Sequence, residues 1–445
     1  MLGDDRETAD AREPIRGELY GPERLERHAS RLASRHRIGG RGRPGAPLLE
    51  RLEENRRVLG EAYRVLLRAV EGDEAVSPAA EWLLDNVHVV RDQVREAERA
   101  LPEGFQRQLP KLSEGELEGH PRAYAVAREF VAHTDSRFEP DALRRFLDGY
   151  QSVSPLEMGE IWALPTSLRL VLVENLRRLA GRIVGARAAR ARADGVVERI
   201  REGGEEAAVE ALGAALPDAA LASRELDRAF VVELVQRLRD AGRPGASADL
   251  ERRLERAGLS AEELVREEHA RQLAAQATVA NVVTSMRKIS AWGWAEFFED
   301  VSLVERALRR DPAGLYARCD FATRDEYRHA VEDLARGSGH AELDVARRAV
   351  ERAGTARRQR GDADGDAAGE GGTHRAGYLG HHLTGEGRRR FEEELGYRPP
   401  LSERVARAFR AAAHPGYFGS LAVLTAVPMA ALVAWAAVAG VPAWA

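Results

Sequence analysis

Cysteine is nearly absent. The chain of 445 residues has one, Cys319, which excludes an intramolecular disulfide and a cage of cysteine ligands around a metal. So few thiols fit a reducing compartment. Lysine is almost missing too: Lys111 and Lys288 stand among 67 basic residues, and all the others are arginine. With plentiful alanine and 41 glycines, this points to coding bias rather than an arginine code for phosphates. Charge of one sign is also scarce, since 67 basic against 72 acidic side chains leaves a net of −5. That balance argues against nucleic acid as a partner. No Walker A sequence, no strand-to-helix G-x-G-x-x-G and no G-x-S-x-G elbow occurs, so glycine-loop nucleotide binding and an α/β-hydrolase nucleophile are unsupported. The opening MLGDDRETADAREP alternates charges and has no apolar leader core. Sustained apolar–polar alternation between hairpin turns is missing as well, so strands are not expected.

What is present is 44% hydrophobic and 31% charged residues, with a mean hydropathy of −0.42. This mixture excludes a polytopic membrane protein and a wholly disordered chain on average. At roughly 150 residues per domain, the length accommodates two or three folded units. From Leu48 onward the apolar residues follow a helical period. Leu52, Leu59, Tyr63, Leu66, Leu67 and Val70 are one such set; Phe138, Leu143, Phe146, Leu147 and Tyr150 are another. The predicted fold class is all-α. Helix starts are signalled at Ser154-Pro155-Leu156-Glu157, Ser260-Ala261-Glu262-Glu263 and Thr323-Arg324-Asp325-Glu326, each with capping-box spacing. Pro165 is expected to kink or break the first of these helices. Apolar residues on most sides of that helix, from Leu168 to Val173, predict a central position.

The organisation read from these signals has five parts. Residues 1–47 form a flexible basic arm, with seven arginines and one acid between Arg24 and Arg43. Residues 48–354 form a helical body, with a break between subdomains near 181–275. Residues 355–375, poor in apolar side chains, form a disordered linker. A short helical juxtamembrane segment covers 376–414. Residues 415–445 contain no Asp, Glu, Lys or Arg and are long enough for a transmembrane helix, which needs ~20 apolar residues. A buried hairpin in a soluble fold is the alternative. Arg404, Arg407 and Arg410 precede the span, which by the positive-inside tendency places the large N-terminal part in the cytoplasm.

Candidate chemistry is sparse. His133-Thr134-Asp135-Ser136 offers catalytic residue types, but a triad is assembled in space rather than by adjacency; a helix-ending turn is the better reading. Asp362-x-Asp364-x-Asp366 opens like a calcium loop, yet Ala367 replaces the needed glycine and Thr373 the bidentate glutamate. His374, His381 and His382 lack the spacing of a zinc site. The aromatic stripe Trp292, Trp294, Phe297, Phe298 has a core-like helical spacing and also the chemistry to stack on sugar rings.

Two long segments carry a resemblance. AEWLLDNVHVVRDQVREAERALPEGFQRQLPKL (80–112) and HPRAYAVAREFVAHTDSRFEPDALRRFLDGYQSVSPLEMGEIWALPTSLRLVLVENLRRLA (120–180) are similar to the N-terminal region of bacterial cyclic β-1,2-glucan synthases. Residues 280–335 and 377–400 continue the match. The resemblance implies a very large inner-membrane enzyme that polymerises glucose from UDP-glucose, with a divalent metal in its transferase domain. No catalytic, cofactor or metal residue of such a domain is recognised in this chain, which lacks the Q-x-x-R-W signature. Membership therefore implies a membrane-anchoring and scaffolding fragment without catalytic domains, with the bilayer, β-1,2-glucan and a downstream synthase polypeptide as partners. Glucan contact is expected from exposed members of Trp162, Trp292, Trp294 and Tyr316. A stand-alone, tail-anchored helical adaptor of the cell envelope is the alternative.

Overall fold

The computed structural model describes residues 13–39, 48–100, 109–221, 223, 226–361, 375–405, 407, 423–431 and 434–435. Among them the regular structure is helical, and the only β-type pairings are isolated bridges, Ile38 with Leu112 and Lys111 with Pro121. The chain divides into two compact units, residues 1–302 and 303–445.

The first unit is built around one helix. Helices α1 (Pro22–Arg35), α2 (Leu48–Glu71), α3 (Pro78–Asp85), α4 (Val87–Ala100), α5 (Arg122–His133) and α6 (Pro140–Gln151) precede α7 (Met158–Glu202), which is 45 residues long. After it come α8 (Glu205–Ala215), α9 (Asp218–Leu221), α10 (Arg228–Asp240), α11 (Pro244–Arg256), α12 (Ala261–Ala291) and α13 (Trp294–Val301). Helices α2, α4, α5, α8, α10 and α12 all pack on α7. Its first half is buried on nearly every side, as expected for the run Leu168, Leu170, Val171, Leu172, Val173. Its second half, from Ala189 to Ile200, forms a separate core with Leu212, Phe230, Leu234, Leu250 and Leu264.

Three local expectations are corrected. Helix α7 starts at Met158 rather than Pro155 and continues through Pro165 without a break. The Glu157 N–H, at the cap, donates to Glu160 Oε2 at 2.9 Å. Ser154 does not cap it because its hydroxyl accepts from Arg122 Nη1 at 2.8 Å. Surrounding helices hold the chain around Pro165, and burial outweighs the ~3 kcal/mol that proline costs inside a helix. The arm expected at 1–47 contains α1, whose Leu25, Ala29 and Ala33 recur every fourth residue and are buried against α6. Its arginines 24, 27, 31 and 35 are the exposed face. The predicted cap at Ser260 is present, with Ser260 Oγ accepting from the Glu263 N–H.

The second unit comprises α14 (Leu303–Leu308), a 3-10 turn at Tyr316–Arg318, α15 (Phe321–Ser338), α16 (Glu342–Gly361), a second 3-10 turn at Arg375–Gly377, α17 (Leu379–Leu383) and α18 (Arg388–Leu395). Helix α15 is capped by Asp320, whose carboxylate accepts from the Thr323 N–H at 2.8 Å. The expected cap, Thr323, instead lies in the first turn. Residues 355–361 of the predicted linker extend α16, and most of the remainder, with the Asp362–Asp366 acids, lies outside the described residues.

No helix among the described residues is long and apolar enough to cross a membrane. Most of the predicted span lies outside the described residues. Within it, residues 423–431 and 434–435 are helical and exposed.

Candidate functional site

The buried charges are the first place to look for chemistry. Glu174 of α7 accepts from Arg51 at 2.8 Å, Arg178 at 2.7 Å and the Tyr124 hydroxyl at 2.6 Å. Burial pushes its carboxyl up, but Arg51, the Tyr124 hydrogen bond and Arg178 hold it down at about 2. Glu160 is gripped by the fork of Arg122, whose Nε lies 2.7 Å from Oε1 and whose Nη2 donates to Oε2. In the second unit Glu305 is fully buried and accepts from Arg328 at 3.0 Å, Arg309 at 2.9 Å and the Tyr316 hydroxyl at 2.6 Å. Burial is also what chiefly pushes the Tyr316 hydroxyl above the ordinary tyrosine range. Glu174 and Glu305 are held by guanidinium and phenol donors, and Glu160 by the Arg122 guanidinium and the Glu157 N–H. Such sets tie helices together.

The turn His133-Thr134-Asp135-Ser136 is structural. Asp135 and Ser136 have φ of 50° and 62°, ending α5 in the left-handed region. Asp135 Oδ1 accepts from Thr278 Oγ1 at 2.8 Å and its Oδ2 from Asn281 Nδ2 at 3.0 Å, both on α12. Ser285 of α12 donates to the Ser136 carbonyl at 2.7 Å. The hydroxyl of Ser136 accepts from Asn175 at 2.9 Å. Asp135 and Ser136 instead dock the end of α5 onto α12 and α7.

The structure brings three of the four candidate glucan-contacting aromatics to one region. Trp162 is 38% exposed and stacks on Phe298 of α13 at 4.6 Å. Trp292 is 42% exposed and meets Phe138 edge-on at 6.4 Å. Trp294, half-buried, contacts the same Phe138 at 5.6 Å and Phe297 at 5.5 Å. Its indole N–H is spent on the Ile289 carbonyl at 2.9 Å. Tyr316 is a correction: it lies in the other unit, is 1% exposed and donates to Glu305, so it presents no surface to a ligand.

A cavity of about 1150 Å³ opens between α7, α10 and α12, with Arg182, Arg190, Arg192, Arg228 and Arg271 on its wall. Asp227 answers Arg192 at 2.5 Å, and Glu267 answers Arg228. Arg190 lies 3.9 Å from Glu233 and Arg271 4.0 Å from Glu267, and Glu13, Asp227 and Glu268 share the lining, so the cleft is of mixed charge.

Among the flanking arginines, Arg407 is engaged by Glu392, with Nη1 2.6 Å from Oε2, and by Glu403 at 2.6 Å. Those hydrogen bonds raise its pKa above the ordinary guanidinium range. Arg404 is exposed, and Arg410 lies outside the described residues. His382 is buried with Nε2 2.8 Å from the Ala376 carbonyl, which gives it a packing role. His374 lies outside the described residues.

One cluster has no signature in the sequence. His28 of α1 meets Glu129 and His133 of α5, with His28 Nε2 3.0 Å and His133 Nε2 3.3 Å from Glu129 Oε2. Burial pushes Glu129 up, while hydrogen bonds from the two histidines hold it at about 2. The Glu129–His133 spacing of four was visible, but His28 comes from 101 residues away, and only folding joins it to them.

No protein-family model matches the chain. Over 364 residues, 81% of its length, it is 36% identical to the cyclic beta-(1,2)-glucan synthase NdvB of Rhizobium meliloti (strain 1021). The chain is therefore similar to one segment of a cyclic β-(1,2)-glucan synthase, and the match spans 12% of that relative's length.

Proposed function

We propose that this chain is a scaffolding and membrane-anchoring part of cyclic β-1,2-glucan synthesis at the bacterial inner membrane, its helical body on the cytoplasmic side. The collinear identity to NdvB carries this reading. It is supported by the paired Glu160, Glu174 and Glu305, which hold helices rather than offer an acid–base pair. It is also supported by the uncharged stretch 415–445 behind Arg404, Arg407 and Arg410. On this reading UDP-glucose and a divalent metal belong to the transferase part of the synthase, and a synthase polypeptide is the partner.

The exposed faces of Trp162 and Trp292 are the proposed contact for nascent glucan. A flat aromatic surface buries the apolar face of a pyranose while its hydroxyls stay free to bond. Membranes from cells in which this chain replaces the matching segment of the relative should still make cyclic glucan from UDP-glucose. Trp162→Ala with Trp292→Ala should lower product yield several-fold without lowering the amount of folded protein. Unchanged yield and unchanged glucan binding would remove the contact. Anchoring is read separately: the chain should stay in the membrane pellet after an alkaline wash, and a version ending at residue 414 should be released. Release of both, or of neither, refutes the span.

A further inference from the structure

The cluster of His28, Glu129 and His133 gathers three possible ligand atoms for a metal ion in one place. His133 Nδ1 lies 2.7 Å from the backbone carbonyl of Glu18. A carbonyl only accepts, so Nδ1 carries a proton, and in the neutral ring Nε2 then bears a lone pair. That lone pair faces Glu129 Oε2, a second acceptor, at 3.3 Å. His28 Nε2 faces the same oxygen at 3.0 Å. Two imidazole nitrogens and one carboxylate oxygen thus share one focus. One added proton on His133 lets that ring donate to both the Glu18 carbonyl and Glu129, while a ring with its proton on Nε2, as His28 can adopt, donates to the same oxygen. A divalent ion held by the same three atoms takes the place of those protons.

The dimensions agree with this. Zinc bonds of 2.0–2.1 Å to nitrogen and 2.0–2.2 Å to oxygen give tetrahedral edges of about 3.3–3.5 Å. The three donor atoms lie within 4.8 Å of one another, and two of the edges are already 3.0 and 3.3 Å. The surroundings orient the rings. Tyr20 stacks on His133 at 4.2 Å, nearly parallel. The backbone at Gly17 crosses so close to His133 that a Cβ there would come within 2.7 Å of the ring, and the Gly17 N–H donates to the Ala132 carbonyl at 2.9 Å. The Glu18 carbonyl fixes the His133 tautomer as second-shell acceptors do for metal-bound histidine. Arg24, above Tyr20, has its charge answered by both oxygens of Glu18, at 2.6 and 2.8 Å.

We propose that His28 Nε2, Glu129 Oε2 and His133 Nε2 bind a zinc ion that clamps α1 and the segment before it onto α5. Three protein ligands leave a fourth position for water or a ligand from outside. The site is independent of the glucan reading.

The test uses the purified full chain, stripped with chelator and titrated with zinc sulfate against a chromophoric competitor. One equivalent should bind, with affinity reduced at least about tenfold in His28→Ala and in Glu129→Gln, and unchanged in His329→Ala, which removes an exposed histidine elsewhere. Cobalt(II) should give the visible absorption of a four-coordinate site in the wild type and in His329→Ala, and lose it in His28→Ala and Glu129→Gln. Melting in chelator separates loss of fold from loss of ligand, because His28→Ala leaves the Glu129–His133 pair of α5 intact. Zinc binding equal in wild type and His28→Ala, or no binding by the wild type, overturns the proposal.

Discussion

Glu174 shows how one side chain decides the stability of a large buried region. It sits on the central helix and gathers donors from α2, α5 and its own turn: Arg51, Tyr124 and Arg178. Its folded pKa, about 2, lies below the ordinary glutamate value of 4.5. The ionised form is therefore the one the fold stabilises. That contribution is fully present above the unfolded pKa and drains away as pH falls from about 4.5 towards 2. The span corresponds to about 3 kcal/mol at neutral pH. Glu174→Gln should cost about 3–5 kcal/mol at pH 7, since it leaves buried guanidinium groups without their counter-charge. Urea midpoints of wild type and variant, compared from pH 7 down to pH 3, should converge. A gap that stays constant with pH would mean that the carboxylate charge contributes nothing. In the sequence, Glu174 is one acid among 72; Arg178 is its only local partner of the three, and the other two lie 123 and 50 residues away, so the i,i+4 pair alone does not mark it.

Helices α1 and α6 make the same point about elements. Seven arginines dominate the segment from Arg24 to Arg43, and their charge density conceals a stripe of Leu25, Ala29 and Ala33. That stripe is narrow because its partner is a glycine. A Cβ at Gly149 would sit 2.5 Å from the Glu26 carbonyl oxygen, so the backbones touch there, and Ser30 Oγ donates to the Gly149 carbonyl at 2.8 Å. Close approach of this kind uses small side chains, which a search for large apolar residues overlooks. Periodicity did reveal α2, α6 and the buried first half of α7, where leucine, valine and phenylalanine mark the face. The Ser260 cap was also legible, because capping is local. The caps at Glu157 and Asp320 were not, since Ser154 is recruited by Arg122 and a nearby carboxylate outcompetes Thr323 for the role. Gly149→Ala should push α1 off α6 at a cost of about 1–3 kcal/mol. Hydrogen exchange of residues 22–35 should accelerate while α7 stays protected. Unchanged protection of α1 would contradict the close contact.

For the whole molecule, the division at residue 302 has a consequence for autonomous folding. The Glu160 and Glu174 networks close within the first unit, as do the turn at Asp135 and the second core from Ala189 to Leu264. The named network of the second unit, Glu305 with Arg309, Tyr316 and Arg328, closes within that unit as well. Its Tyr397 ring lies against Gly337, and the Arg398 N–H donates to the Gly337 carbonyl at 2.9 Å. Each unit therefore carries its own buried charges with their counter-charges and its own apolar core, the two things a domain needs to fold alone. A fragment of residues 1–302 should be monomeric and helical and should melt cooperatively. Its aromatic circular dichroism should retain the band contributed by Trp162, Trp292 and Trp294, whose packing partners Phe138, Phe297 and Phe298 all lie within it. Since α1 and α5 are both inside the fragment, it should also bind zinc as the full chain does. The full chain should in turn unfold in more than one calorimetric step, as multi-domain chains do. A fragment that is molten, or a full chain with a single transition whose calorimetric and van't Hoff enthalpies agree, would show that the two units fold as one.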